Sequence, residues 1–169
     1  MSMDMCNYCL KVRYPECDPM GVAYHGSYLP WLELARIDFV KQFGVSYAEM
    51  EKRGIFVVVT ELNIKYKKSV GYDDSIVILT KVKELQNIRF SFEYEVYKVN
   101  FEIIQGGNAL TSNQIEEVRK SDLVVVALSH QVFLNSSKKP IRIKREAPDI
   151  YKLLTAKPEA FKQDQDRSE

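Results

Sequence analysis

The chain has little of several things, and each shortage closes a class of function. It has three cysteines in 169 residues, an odd number that describes no disulfide framework. It has no excess charge of either sign. Lys plus Arg (24) nearly balance Asp plus Glu (23), so nothing draws it generally to nucleic acid or an anionic membrane, and an anionic ligand needs a local basic cluster. Its longest apolar run, Leu123 to Leu128, falls far short of the ~20 residues that cross a bilayer. The N-terminal MSMDMCNYCLKV lacks a basic segment followed by an apolar one, and Asp4 interrupts it. A cytoplasmic, reduced protein is the expectation. What is present is enough apolar material, 46% of residues, for one domain with one core.

Residues 6–14 read as a first strand, followed by the turn-rich YPECDPMG. A helical pattern begins around Ser27, carries Pro30 in its first turn and stops at Gly44, a left-handed cap. Leu29, Leu32, Ala35, Phe39, Val40 and Phe43 fall on one face while Trp31, Leu34 and Ile37 fall elsewhere, which predicts a helix covered on most sides. Ser46-x-x-Glu49 caps a second short helix ending near Gly54. The period then changes. IFVVVTELNIKYKK, SIVILTKVKEL, IRFSFEYEVYKV and DLVVVALSHQVFL read as strands, with turns at Gly71–Asp74 and Gln86–Asn87. Residues 105–121 read as a long loop with at most one helical turn, and the chain beyond Leu154 as a polar, frayed tail. The fold class is α+β, an antiparallel sheet of five strands with one long helix on a face. A domain over residues 1–145 and a C-terminal extension over 146–169 are expected. The two open sheet edges predict self-association through pairing with a second copy.

Asp18 lies in the connection leading to the buried helix, and Tyr24, His25 and Gly26 lie at or just before its start. Helix-start amides lack intrahelical partners and can stabilise an oxyanion, and a nearby carboxylate can activate water or attack a carbonyl. That combination suits acyl transfer, although an Asp before a helix is also the ordinary turn former.

The run R-Y-x-E-x-D-x-M-G-V-x-Y-H-x-x-Y-L, continuing into W-L-E-L-A-R, resembles the opening motif of the 4-hydroxybenzoyl-CoA thioesterase/YbgC-like acyl-CoA thioesterases. Tyr66 to Ser69 with Asp73 and Asp74, and Lys139 to Arg142, are similar to later segments of that family. The resemblance, over roughly residues 8 to 144, implies a hot-dog fold and hydrolysis of an acyl-CoA, or of an acyl group on a carrier protein, by a homodimer or homotetramer without a cofactor. Asp18 matches the catalytic general base or nucleophile. Tyr24 and His25 match the groups that polarise the carbonyl, with Gly26 and Tyr28 beside the substrate. CoA phosphates would fall to basic residues, with Lys139 and Arg142 in the cluster Lys138–Arg145 as candidates and Arg89 as a further one.

Other readings stay open. Cys17, where many members have Thr, invites a thiol nucleophile. Cys6-x-x-Cys9 might suggest zinc, but on a strand those two side chains face opposite ways, and no metal is expected. Glu33 and Arg36 form an ion pair, or Glu33 acts as a second carboxylate. A hydratase or dehydratase, or a non-catalytic binding module, would use the same ligand.

Overall fold

The computed structural model describes residues 6–155 apart from 87, 104, 108 and 109. Strands β1 (Cys6–Lys11), β2 (Phe56–Tyr66), β3 (Ser75–Leu85), β4 (Arg89–Val99) and β5 (Asp122–Leu134) form one antiparallel sheet in the order β1-β3-β4-β5-β2. The strands sit where the sequence pattern placed them, except that β1 stops at Lys11 and residues 14–16 form a 3-10 turn instead of continuing it. In β4, Phe90, Phe92, Tyr94 and Val96 are buried on the face that meets helix α1 (Tyr28–Gln42). Phe92 crosses Phe39 of that helix edge to face at 5.2 Å, an arrangement that aromatic quadrupoles favour. The helix ends as expected, at Gly44 with φ of 73°. Ser46 accepts the Glu49 N–H at 3.1 Å and starts α2 (Tyr47–Lys52).

Three features depart from the expectations. The helix is not covered on most sides, because Leu29 and Leu34 are exposed. The 105–121 stretch is not a loop with one turn. It contains α3 (Ser112–Lys120), whose Thr111 and Gln114 form a reciprocal capping box. This helix drives Val118 against Cys9, Val77, Leu79, Tyr97 and Val99, building a second core on the sheet face opposite α1. Lastly, the core runs past the boundary expected at residue 145. Helices α4 (Ile143–Glu146) and α5 (Pro148–Thr155), with Ala147 between them, send Ile143, Ala147, Ile150 and Leu154 into the main core. The tail expected beyond residue 155, and Asn87 of the expected Gln86–Asn87 turn, lie outside the described residues.

The two sheet edges are managed differently. Gly106 exchanges two backbone hydrogen bonds with Cys9, at 3.0 and 2.8 Å, and so covers part of β1. Asn7 accepts the Leu110 N–H at 2.9 Å. β2 has β5 on one side and, among the described residues, no strand on the other. Phe56, Val58, Val59 and Tyr66 are exposed along it.

Candidate active site

Between β1 and α1 the chain folds into a small hairpin. Cys17 bridges Ala23, the Asp18 N–H donates to Val22 O at 2.8 Å and the Tyr24 N–H to Glu16 O at 2.8 Å. The tip is Asp18-Pro19-Met20-Gly21, a type I turn signature with Gly21 at φ of 77° where a side chain would be strained. The hairpin is sewn to the β2–β3 connection by the Ala23 N–H donating to Val70 O at 2.7 Å and by a Val22–Gly71 bridge. Gly71 allows a close approach there, since a Cβ would sit 3.1 Å from the Gly21 carbonyl oxygen.

Asp18, half-buried at this tip, holds the turn. Its Oδ1 accepts the Met20 N–H at 2.8 Å, while Oδ2 has no hydrogen-bond partner among the described residues. Both roles weighed from sequence, turn former and reactive carboxylate, therefore fit this one side chain. The helix start needs a correction. The Tyr24 amide is consumed inside the hairpin and cannot polarise a substrate, and its ring is an exposed wall packed 4.2 Å from the His25 ring. The free amides lie one step later. A single 3-10 turn, His25–Ser27, leads into α1, and among the described residues the His25 and Gly26 N–H groups donate to no carbonyl. A Cβ on Gly26 would meet the Tyr24 ring at 2.6 Å.

Beneath these amides is a cleft of about 260 Å³ lined by Ala23, His25, Tyr28, Tyr66, Lys67 and Ser69. Tyr28 is buried in its floor against Tyr66, ring centroids 5.3 Å apart, and burial pushes the Tyr28 phenol up to about 12. The Tyr66 hydroxyl donates to His25 O at 2.9 Å and ties the helix start to the end of β2. Lys68, at the same cleft, pairs with Asp122, whereas Lys67 has no carboxylate partner among the described residues. The two lysines that follow β2 are the sequence signal for this cleft.

Glu16 was also missed. It is buried, and its carboxylate accepts from the Arg13 N–H at 2.7 Å, Arg13 Nη2 at 2.7 Å and Trp31 Nε1 at 2.9 Å. Its carbonyl accepts from Ser27 Oγ at 2.9 Å. One residue thus locks the hairpin to the helix. Burial acts to raise its pKa, but the Arg13 and Trp31 hydrogen bonds outweigh burial and hold it below the usual value.

The remaining candidates separate from this site. Cys17 is half-buried against the core with its thiol towards the Arg13 carbonyl at 3.9 Å. Glu33 pairs with Arg36 as expected. Cys6 and Cys9 face opposite cores, so they cannot share a metal. Arg89, Lys139 and Arg142 belong to the far end of the sheet, in or near a cleft of about 780 Å³ with Gln86, Pro140 and Tyr151. Tyr66 pairs with Val125 and Arg89 with Val132. Seven strand residues separate them, roughly 23 Å. Within one subunit the phosphate candidates are not brought to Asp18. Among the described residues no helix is long and apolar enough to cross a membrane.

Comparison with known proteins agrees with this architecture. YneP of Bacillus subtilis is 36% identical over 88 residues, 52% of this chain, and the match spans 64% of that protein's length. The acyl-CoA thioesterase YbgC of Haemophilus influenzae is 27% identical over 93 residues, 54% of this chain and 68% of that one. A DHNA-CoA thioesterase from Staphylococcus aureus superposes with a TM-score of 0.73 at 32% identity, covering 88% of this chain and 87% of the other. The five-stranded sheet around α1 is the hot-dog fold, and since the thioesterase-like superfamily matches over residues 12–162, the chain belongs to that family.

Proposed function

We propose that the protein hydrolyses an acyl thioester, with an acyl-CoA as substrate, Asp18 as general base or nucleophile and the His25 and Gly26 amides as the oxyanion site. The observation that carries this reading is one hairpin that holds a carboxylate with one oxygen fixed and one unbonded and leads directly into a helix start with two unbonded N–H groups. As a general base, Asp18 takes a proton from water while the oxygen attacks the carbonyl carbon. The carbonyl π electrons move to the oxygen and are held by the amides. The C–S bond then breaks, the thiolate leaves and gains the proton, and the products are a free acid and a thiol. As a nucleophile, Asp18 forms a mixed anhydride that water then opens. Relatives named as thioesterases support the same chemistry.

The phosphate candidates fit if two copies pair through β2. A twofold axis across an antiparallel β2–β2 contact sets the start of one strand beside the end of the other. Phe56 pairs with Leu134 and Leu134 bridges Pro140, so the partner subunit's Lys139 and Arg142 would approach this copy's Tyr66 and His25. A homodimer is therefore part of the proposal. Three cysteines outside any disulfide suit a cytoplasmic setting.

Free-thiol release on short, long, branched and aromatic acyl-CoAs, and on the same acyl groups carried by acyl carrier protein, tests the reaction. Turnover that collapses in Asp18→Asn is expected. Loss of turnover in Cys17→Ser with Asp18→Asn still active would instead make the thiol the nucleophile. Ligand binding without turnover anywhere on the panel would reduce the protein to a binding module.

A further inference from the structure

Each amide of the proposed oxyanion site is one side of a planar peptide unit whose other side is a carbonyl. The His25 N–H shares its plane with the Tyr24 carbonyl, and the Gly26 N–H shares its plane with the His25 carbonyl. Among the described residues every peptide bond is trans. In a trans unit the two groups point in opposite directions, so whatever holds the oxygen also aims the N–H. Both oxygens are held. The Ser27 N–H donates to Tyr24 O at 2.8 Å, a contact made inside the 3-10 turn itself. The Tyr66 hydroxyl donates to His25 O at 2.9 Å, and this contact spans 41 residues of chain.

Tyr66 is fixed at both ends of its side chain's reach. The Lys67 N–H donates to Val124 O at 2.7 Å and pins the end of β2 to β5. The Tyr66 ring stands edge to face on the buried Tyr28, centroids 5.3 Å apart. Leu62, Ile64 and Tyr66 alternate along β2 towards α1, so pairing of the β2 backbone edge with a second copy leaves the phenol in place. Burial, and after it the Tyr24 phenol, raise the Tyr66 pKa above its usual value, so the hydroxyl keeps its proton at neutral pH and donates it.

The fold does not depend on this bond. The Ala23 N–H to Val70 O bond and the Val22–Gly71 bridge already join the hairpin to the β2–β3 connection, and Tyr66 is 47% exposed. A hydrogen bond that water can reach exchanges one partner for another and adds little stability. Its consequence is local. It fixes the rotation of the His25–Gly26 peptide, the unit that lies between the two free donors in the chain. Accepting the phenol proton also draws electron density towards His25 O and makes the Gly26 N–H a stronger donor.

We propose that Tyr66 is a positioning residue, its hydroxyl holding the His25–Gly26 peptide so that the two amides meet the oxyanion formed from the thioester carbonyl. This deepens the hydrolase reading and rests on it.

Infrared spectroscopy reads the amides without turnover. The probe is a ketone analogue of an acyl-CoA, with a methylene in place of the thioester sulfur and an isotopic label at its carbonyl carbon, bound to the full-length protein. Donation from the amides lowers the carbonyl stretch. Tyr66→Phe keeps the ring on Tyr28 and loses the hydroxyl, and part of that lowering should be lost with it. On the acyl-CoA that the wild type turns over best, kcat should fall about tenfold or more, a fraction of what deleting an oxyanion donor costs, with KM and melting temperature unchanged. Should Tyr66→Phe fail to fold, a ring-difluorinated tyrosine at position 66 keeps the hydroxyl but releases its proton at lower pH. Its kcat should then fall relative to wild type as pH rises over roughly 6 to 9, because a phenolate cannot donate and repels the His25 oxygen.

A stretch unchanged by Tyr66→Phe overturns the proposal. So does an unchanged kcat in an active enzyme, a KM that rises while kcat holds, a melting temperature that falls in step with activity, or a difluorotyrosine profile parallel to wild type. Turnover abolished in Asp18→Asn but untouched in Tyr66→Phe would keep the hydrolase and remove the Tyr66 role. A stretch that depends on Tyr66 in a protein that hydrolyses nothing would keep the role and remove the hydrolase. Neither turnover nor ketone binding would remove both.

Discussion

The two oxygens of Asp18 are unequally employed, and this makes a clean test. Oδ1 holds the Met20 amide and so shapes the turn, while Oδ2 is left for chemistry. Asn keeps an acceptor at Oδ1 but supplies no basic or nucleophilic oxygen. Asp18→Asn should therefore lower kcat by about 10²–10⁴-fold, with circular dichroism reporting an unchanged melting temperature. An equal loss of stability and activity would mean that the side chain matters only to the turn. Glu16 behaves oppositely. Trp31 and Arg13 both donate to it, so Glu16→Gln should cost about 1–3 kcal/mol of stability at neutral pH. Its folded pKa lies below the unfolded value of 4.5, since hydrogen bonds favour its charged form. The stabilisation is then complete above about pH 4.5 and disappears as pH falls through the folded value. Thermal melts from pH 7 to 3 should show the gap between wild type and Glu16→Gln closing on the acid side. Asp18 was legible because many residue types around it match a family motif at fixed spacing. Glu16 was not, because its partners Ser27 and Trp31 lie 11 and 15 residues away and a turn carboxylate ordinarily faces water.

At the scale of elements, the strands were legible because one half-buried face imposes a period of two, and α1 because an apolar pattern ends in a glycine at positive φ. α3 was misread for a physical reason. Its nine residues are mostly polar, and two glycines precede it, so composition suggested a loop. The signal present was the Thr111-x-x-Gln114 box, and the deciding fact was tertiary, a sheet face with Val77, Leu79 and Tyr97 needing cover. The helix should thus depend on its cap more than a longer helix would. Thr111→Ala removes the acceptor for the Gln114 N–H and should cost about 1 kcal/mol. Hydrogen exchange should report that loss at residues 112–120 before it reaches the β3–β4 ladder. Simultaneous loss of protection in both would show instead that α3 and the sheet open as one unit.

For the whole molecule the open question is what meets β2. Two open edges were expected, and one is partly closed from within by Gly106. The other is eleven residues long with Val58 41% exposed, an edge that ordinarily attracts another strand. Sequence could not distinguish the edges, since covering β1 depends on where Gly106 and Leu110 return. If two β2 strands pair about a twofold axis, the start of each strand lies beside the end of the other, so lysines at 56 and 58 replace apolar contact in the seam with cations beside the partner subunit's Lys65. Phe56→Lys combined with Val58→Lys should therefore convert a dimer to a monomer in sedimentation. The fold should survive, since both side chains are exposed. Activity should fall at least about tenfold in kcat/KM, because the monomer loses one or more charge-assisted phosphate contacts from the partner subunit's Lys139 and Arg142. The sign of the substitution matters. Added cations would attract a polyanionic CoA, so a fall in activity cannot come from repelling it. A fully active monomer would mean that Lys67 and Lys68, already at the cleft, receive the phosphates unaided. A dimer that persists would place the contact on another face, and the far-end cations would then need a role apart from this substrate.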